Sequence, residues 1–271
     1  MDDCHDRHFN PYLRGYWDMS QVPYIKVNEL TLAYGDYVVM KDLNFQINKG
    51  DIFIIMGPSG CGKSSLLRAL TGLIPVPKGE IIINGFDIQK QPVKAKQTIG
   101  YTSDDHSIYE KLGGRECLDY MGSLFNVSKA NKEKYIRYYA NKFDIEYALD
   151  KQISSYSHGM KQKVCLVASL LHQPKLWILD EPMLGLDPQT KKIVMDYIRE
   201  YADKGNSVLF SSHDIYTVSQ ICDYVAIINK GHLVDLIDMK HTIYKKTQDL
   251  EKHFMDLTKQ SNSDDEPEPE K

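Results

Sequence analysis

The chain has 271 residues, enough for one large domain or for one domain with a subdomain. Its hydrophobic content of 42% and charged content of 26% are ordinary for a globular protein. The formal net charge of −4 gives no overall attraction to nucleic acid, so we expect no nucleic-acid partner. No apolar stretch reaches the roughly 18 residues that a membrane-spanning helix needs. Any work at a membrane therefore requires a second protein to span it.

The cysteines and the N-terminus indicate the compartment. The cysteine count is odd and contains no C-x-x-C pair, which favours a reducing, cytosolic setting over a disulfide framework or a zinc site. The N-terminus is acidic and lacks the charged-then-apolar order of a signal peptide. The cysteines are Cys4, Cys61, Cys117, Cys165 and Cys222.

The first third of the chain contains strand signals. Residues 1–22 form a polar, aromatic-rich extension without clear periodicity. Alternating apolar residues then predict half-buried antiparallel strands at 24–27 and 43–47. A further strand at 79–83 ends at Asn84-Gly85, a dipeptide typical of tight hairpin turns.

A glycine-rich turn follows the apolar run 52–56 and precedes a predicted helix at 65–71. It matches G-x-x-x-x-G-K-S/T, the phosphate-binding P-loop, whose backbone N–H groups surround a phosphate chain. Lys63 can reach the β- and γ-phosphates, and the Ser64 hydroxyl can bind Mg²⁺. A structural glycine turn is the alternative, but the strand-then-helix context favours nucleotide binding. The predicted nucleotide-binding residues are Gly57, Pro58, Ser59, Gly60, Cys61, Gly62, Lys63, Ser64 and Ser65.

The second half predicts a different organisation. The section from about 104 to 160 is rich in Tyr, Lys, Asn and Glu and is interpreted as an inserted helical subdomain. Apolar strands at 176–179 and 207–210 flank a predicted helix over 189–203, which gives a parallel βαβ unit. Residues 261–271 are acidic and proline-rich and are predicted to be disordered.

A carboxylate pair ends the strand at 176–179. Asp180 suits the shell of a Mg²⁺ ion beside a P-loop, and Glu181 suits a base that polarises the attacking water. The alternative is an acidic helix start before Pro182. The preceding P-loop favours the catalytic interpretation.

Several motifs together resemble the ATP-binding cassette (ABC) ATPases, over about residues 23–235. Tyr156-Ser-His-Gly-Met160 resembles the LSGGQ signature of that family, and it stands just upstream of the Asp-Glu strand. Leu184-Gly-Leu-Asp187 resembles the D-loop, and Ser211-Ser-His-Asp214 resembles the loop of the switch histidine. Tyr34, in Ala33-Tyr-Gly35, resembles the aromatic residue that stacks on adenine.

The resemblance implies an α/β fold: a P-loop NTPase core of mostly parallel sheet with an antiparallel β-subdomain and an inserted helical subdomain. The ATP-binding domain would span 23–238 and a C-terminal helical segment 239–260. ATP and Mg²⁺ are the implied cofactors.

The resemblance also implies roles for individual residues. Ser157 and Gly159 would bind the γ-phosphate of a nucleotide held by a second ATPase subunit, in a homo- or heterodimer. His213 would contact the γ-phosphate and hold Glu181, and Asp187 would belong to the nucleotide-binding set.

Departures from the family pattern narrow the interpretation. His158 replaces a glycine of the signature, Met160 replaces its glutamine, and Asp104 stands where the family has the Q-loop glutamine. An acid at that position can still provide an oxygen ligand for Mg²⁺. These features and the ending 249–258 resemble the ATPase subunits of bacterial type-2 ABC exporters.

This resemblance implies an ATPase that dimerises on ATP and powers export through a separate transmembrane permease subunit. Such a protein works peripherally at the cytoplasmic face of the cell membrane. The segment 104–116 would receive the permease, with Tyr109 and Leu112 as apolar contacts. The alternatives are an importer ATPase and a soluble ABC ATPase acting on nucleic acid or ribosomes.

Overall fold

The computed structural model describes residues 22–105, 109–241 and 247–260. The predicted acidic tail and all but the last residue of the predicted N-terminal extension lie outside the described residues. Within those ranges, no helix combines the length and the apolar character needed to cross a bilayer.

The strands of the described ranges form two sheets. In chain order they are β1 (Ile25–Tyr34), β2 (Tyr37–Ile47), β3 (Ile52–Met56), β4 (Lys78–Ile83), β5 (Phe86–Asp87), β6 (Ile99–Thr102), β7 (Leu176–Leu179), β8 (Ser207–Ser211), β9 (Tyr224–Asn229) and β10 (His232–Asp238). The smaller sheet is antiparallel, in the order β2-β1-β4-β5. The larger sheet has the order β10-β9-β3-β8-β7-β6 and is parallel except for β10. This arrangement confirms the predicted fold class.

The helices pack around the larger sheet and fill the middle of the chain. They are α1 (Lys63–Leu70), α2 (Pro92–Lys96), α3 (Gly114–Leu124), α4 (Lys129–Lys142), α5 (His158–Leu170), α6 (Pro188–Asp203), α7 (Ile215–Ile221) and α8 (Thr247–Gln260). The predicted helix over 189–203 is present as α6. Between β6 and β7 the described chain is helical, as predicted, and includes two short 3₁₀ turns. The limits of a helical subdomain at about 104 and 160 stay a prediction.

The larger sheet separates two apolar cores. In β3, Ile52, Ile54 and Met56 face one core, whereas Phe53 and Ile55 face the other. A strand that buries both faces is continuously apolar instead of alternating, as the sequence of β3 is. The same division recurs in β7 and β8. An apolar core therefore packs on each face of β3, and the turn that follows β3 starts from a fixed position.

The parallel strand order determines where the functional residues meet. β8 lies between β3 and β7, so the carboxyl ends of these strands are adjacent at one edge of the sheet. In open α/β sheets, ligands bind at this edge. The P-loop follows β3 and Asp180 follows β7. Ser211 ends β8 between them.

Replacing Trp177 with alanine tests the core on the α6 side of the sheet. Trp177 is fully buried, packs at centroid distances of 5.6 to 6.5 Å from three aromatic rings, and donates its indole N–H to Ser169 at 2.9 Å. We expect Trp177→Ala to lower the free energy of unfolding by about 3–5 kcal/mol in urea denaturation. Tyr147→Ala, at a ring that is 64% exposed, should change it by no more than about 0.5 kcal/mol. Equal changes in the two variants would contradict this account of the core.

Candidate nucleotide-binding site

The P-loop is a turn that only glycine can form at two of its positions. A Cβ on Gly57 would collide with the carbonyl oxygen of Ile228 in β9. Gly62 has a φ of 101°, and a Cβ there would approach side-chain atoms of Val39 and Met40 to 2.8 Å. The loop therefore lies tightly against β9 and β2, and α1 begins directly after it at Lys63. A helix N-terminus that follows a glycine loop is a site for phosphate.

Lys63 is folded over this loop. Its Nζ donates hydrogen bonds to the carbonyl oxygens of Gly57 at 2.8 Å and Pro58 at 3.1 Å, and the residue is buried. The ammonium group thus lies at the mouth of the turn that was predicted to surround the phosphates. The remaining predicted residues, Pro58, Ser59, Gly60, Cys61, Ser64 and Ser65, lie in the same turn and in the first turn of α1.

Asp180 is a buried carboxylate at the end of β7. Its Oδ1 accepts a hydrogen bond from the Ser211 hydroxyl at 2.6 Å, and the residue is only 1% exposed. Burial raises the pKa of Asp180, and the hydroxyls of Ser211 and Ser64 oppose this rise. Its Oδ2 is buried and accepts no hydrogen bond from the residues that the structure describes. A buried oxygen of this kind, next to the Ser64 hydroxyl, fits a hard cation such as Mg²⁺.

Glu181 and His213 form a pair beside Asp180. Oε2 of Glu181 lies 3.0 Å from Nδ1 of His213. The Glu181 side chain is 19% exposed and that of His213 is 64% exposed, so the pair lies at the surface of the site. The backbone of Glu181 has a φ of 46°, which is uncommon for a residue with a side chain. The site holds this conformation, because the Glu181 N–H donates to the Ser211 hydroxyl at 2.9 Å.

Ser211 is the functional residue that the sequence did not reveal. Its hydroxyl donates to the Asp180 carboxylate and accepts from the Glu181 backbone, so one side chain fixes both acids. The feature that could have identified Ser211 is its position at the end of β8, the strand next to β7, which Asp180 follows.

Asp104 follows β6, the neighbour of β7, and faces a cation of the chain itself. Its Oδ1 is 3.5 Å from Nη2 of Arg68, and both side chains are about 40% exposed. The charge of Asp104 also contributes to raising the pKa of Asp180, so the two carboxylates lie near each other. The proximity suits a shared metal shell, but Arg68 is a competing partner. Direct ligation by Asp104 stays a prediction.

Tyr34 belongs to the smaller sheet, but its side chain lies beside α1, the helix that follows the P-loop. Its hydroxyl donates to the Ser65 hydroxyl at 3.3 Å, and the residue is 49% exposed. The ring is therefore held near the phosphate site with much of its surface available for a ligand. This location suits the predicted contact with adenine.

The signature residues lie at the N-terminus of α5. The Ser157 hydroxyl caps the helix by accepting from the Met160 N–H at 3.3 Å. Gly159 packs against the loop that follows Glu181. Among the hydrogen bonds of the described residues, none joins Ser157 or Gly159 to the P-loop. The structure of the single chain thus leaves these residues apart from the site formed by Lys63 and Asp180.

Asp187 has a structural role in the single chain. Its carboxylate caps α6 by accepting from the Thr190 N–H at 2.9 Å and from the Thr190 hydroxyl at 2.6 Å. These hydrogen bonds lower the pKa of Asp187. Its predicted contact with nucleotide stays a prediction, and the helix cap is a role that the sequence analysis did not assign.

Comparisons with known proteins agree with this geometry. The pattern that describes the family "ABC transporter" matches residues 40–184. The linearmycin resistance ATP-binding protein LnrL of Bacillus subtilis is 30% identical over 210 residues, which are 78% of this chain and 68% of LnrL. The ABC transporter ATP-binding protein NatA of Bacillus subtilis is 31% identical over 72% of this chain and 80% of NatA.

A solved structure described as the ATP binding subunit of an ABC transporter superposes with a TM-score of 0.79. It is 27% identical to this chain, and the match covers 86% of this chain and 99% of that structure.

Removing the Ser211 hydroxyl tests whether it organises the two acids. We expect Ser211→Ala to lower the rate of ATP turnover about tenfold or more, because Asp180 and the Glu181 backbone lose their shared partner. The measurement is steady-state phosphate release at saturating ATP. The matched control is Ser207→Ala, at the other end of β8, whose hydroxyl donates to the Asn48 carbonyl at 3.0 Å. Equal turnover in the Ser211 and Ser207 variants would contradict the role of Ser211.

Proposed function

We propose that this chain, which belongs to the ABC transporter family, is the ATPase subunit of an exporter and drives a separate membrane-spanning permease. The chain is an ATP-binding subunit of an ABC transporter and an ATPase. One observation carries the catalytic part of the proposal. A hydrogen-bonded chain from Asp180 through Ser211 to Glu181 and His213 borders the P-loop that holds Lys63.

The nucleotide would occupy the mouth of the P-loop. Backbone N–H groups of residues 57–65 would bind its phosphates, Lys63 would exchange the loop carbonyls for the β- and γ-phosphates, and Tyr34 would stack on adenine. Ser64 and Asp180 would hold Mg²⁺, with Asp104 as a further oxygen near it. When bound, Mg²⁺ neutralises charge on the β- and γ-phosphates. The unpartnered Oδ2 of Asp180 supports this assignment.

Glu181 and His213 would act on the attacking water. Glu181 is the carboxylate with access to solvent, so it can orient and polarise a water molecule that the buried Asp180 cannot reach. His213 lies against the Glu181 carboxylate and would hold it while contacting the γ-phosphate. Phosphoryl transfer needs mainly positioning and charge stabilisation, which these fixed groups can supply.

A second cassette would complete the site. Ser157 and Gly159 lie at a helix N-terminus, where backbone N–H groups favour phosphate oxygens. No hydrogen bond of the described residues joins them to their own P-loop. Both facts support the interpretation that Ser157 and Gly159 contact a nucleotide held by another chain.

Two observations favour export over import. Asp104 and the ending 249–258 follow the pattern of type-2 exporter subunits, and the name of one relative concerns resistance to linearmycin. Identifying the permease that copurifies with this chain tests the direction of transport. A permease that works with an external substrate-binding protein would favour the importer alternative.

An apolar groove supports docking of the permease near residues 104–116. A cavity of about 310 Å³ lies among β6, α3, α5 and the segment that follows α1, and its rim includes exposed apolar side chains. Its lining includes Leu73, Tyr101, Tyr109, Met121, Phe125 and His172. Tyr109 is 51% exposed at this groove, which suits a contact with a partner. Leu112 is partly buried against the apolar core. Both permease contacts stay predictions.

Replacing Glu181 with glutamine tests the proposed base. We expect Glu181→Gln to lower ATP turnover by about 10²–10⁴-fold while ATP still binds, because the amide cannot accept the proton of the attacking water. Turnover is measured by phosphate release and binding by equilibrium fluorescence of a labelled ATP. The control is Glu200→Gln on α6, which removes the negative charge that pairs with Lys142 and Lys204. It should keep wild-type turnover. Near-wild-type hydrolysis by Glu181→Gln would contradict the assignment of Glu181 as the base.

Placing a charge in the groove tests permease docking. Leu73 is 59% exposed and lines the cavity, so Leu73→Asp should greatly reduce copurification with the permease through the cost of burying a carboxylate. Basal ATP turnover of the isolated chain should stay near wild type. Tyr138→Asp, at a comparably exposed ring on α4 that lies outside this groove, is the control. Unchanged copurification of the Leu73 variant would exclude the groove as the docking surface.

A further inference from the structure

We infer that His158 is a positioning residue for ATP hydrolysis, because its ring fixes the loop that follows the proposed base Glu181. The loop comprises residues 182–187, between Glu181 and α6, and is called the post-glutamate loop below. The inference rests on the proposed function of Glu181. It adds a residue of α5 to the groups that determine the position of Glu181.

The ring of His158 lies directly against Gly185, in the middle of the post-glutamate loop. A Cβ built on Gly185 would overlap Cδ2 of the imidazole and lie 3.0 Å from its Nε2. Gly185 also has a φ of 73°, so both the backbone conformation and the ring favour glycine at this position. A smaller residue at position 158 would leave this side of the loop without that contact.

Two neighbouring residues of α5 hold the same loop. A Cβ on Gly159 would lie 3.3 Å from the carbonyl oxygen of Gly185, so the helix and the loop approach closely. The Gln162 side chain is fully buried, and its Nε2 donates to the Pro182 carbonyl at 3.0 Å. His158 and Gln162 are four residues apart and therefore share one face of α5. The first turns of α5 thus hold both the start and the middle of the loop.

The loop is short and is fixed at both ends. At its start, the Glu181 N–H is bound to Ser211, and the Glu181 carbonyl accepts from the Leu184 N–H at 3.1 Å. At its end, Asp187 caps α6. A loop of this length has little freedom to absorb a shift at Gly185. Releasing Gly185 should therefore loosen the backbone of Glu181, whose left-handed conformation depends on its surroundings.

This arrangement predicts an effect on the chemical step and not on nucleotide binding. The residues that would bind ATP in the same chain belong to other elements than His158 of α5: Lys63 and Ser64 begin α1, and Tyr34 ends β1. A small misplacement of a catalytic group lowers the rate of reaction strongly even when the substrate still binds.

The first test compares two replacements of His158 in the full chain. We expect His158→Ala to lower kcat for ATP about tenfold, with an unchanged Kd for a fluorescent ATP analogue measured in the Glu181→Gln background. His158→Phe keeps a ring against Gly185 and should retain most of the wild-type kcat. Thermal unfolding confirms that each variant is folded. A kcat for His158→Phe as low as that of His158→Ala would overturn the inference, since the ring nitrogens would then be the essential feature.

The second test is a double-mutant cycle with Gly185. Gly185→Ala should lower kcat strongly in the wild-type background, because the new methyl group overlaps the ring. In the His158→Ala background that overlap is absent, so the double variant should turn over ATP at least as fast as Gly185→Ala alone. Independent effects would instead multiply, and multiplied losses would overturn the inference.

The Glu181→Gln variant separates this inference from the proposed function. If Glu181→Gln hydrolyses ATP normally, the assignment of the base fails and the inference fails with it. If Glu181→Gln is inactive while His158→Ala keeps wild-type kcat, only the role of His158 is overturned.

Discussion

The site is organised around the charge of Asp180, which the fold buries at the end of a central strand. Removing a carboxylate from water is unfavourable unless hydrogen bonds or a cation compensate for it. Here Ser211 satisfies one oxygen, and the other accepts no hydrogen bond within the described part of the chain. The Ser211 hydroxyl that satisfies Asp180 also fixes the backbone of Glu181, so the cation site and the proposed base share one anchor. The P-loop is brought to this anchor by the order of the parallel strands.

The sequence predicted those parts of the site that lie within one short peptide. The P-loop, the acid pair at 180–181 and the strand-helix alternation follow from local spacing, because a turn or a strand end needs particular residues in immediate succession. The two-faced burial of β3 also agrees with its continuous apolar run. The ATP-dependent family was identified correctly from several such peptides in order.

Contacts between distant peptides could not be predicted in this way. Ser211 meets Asp180 only because β8 lies beside β7, and Arg68 faces Asp104 only because α1 and the end of β6 converge. The helix-capping role of Asp187 was missed for another reason: the same residue type serves a helix cap and a ligand site.

Helix α5 connects two parts of the molecule that the proposed mechanism uses separately. Its N-terminus carries Ser157 and holds the post-glutamate loop, and its C-terminal half provides Cys165, Ala168 and Ser169 to the groove. An α-helix of this length is a rod of about 20 Å that resists bending. If a partner in the groove displaced the C-terminal half of α5, the N-terminal turn and the loop that it holds would move with it as one rigid element.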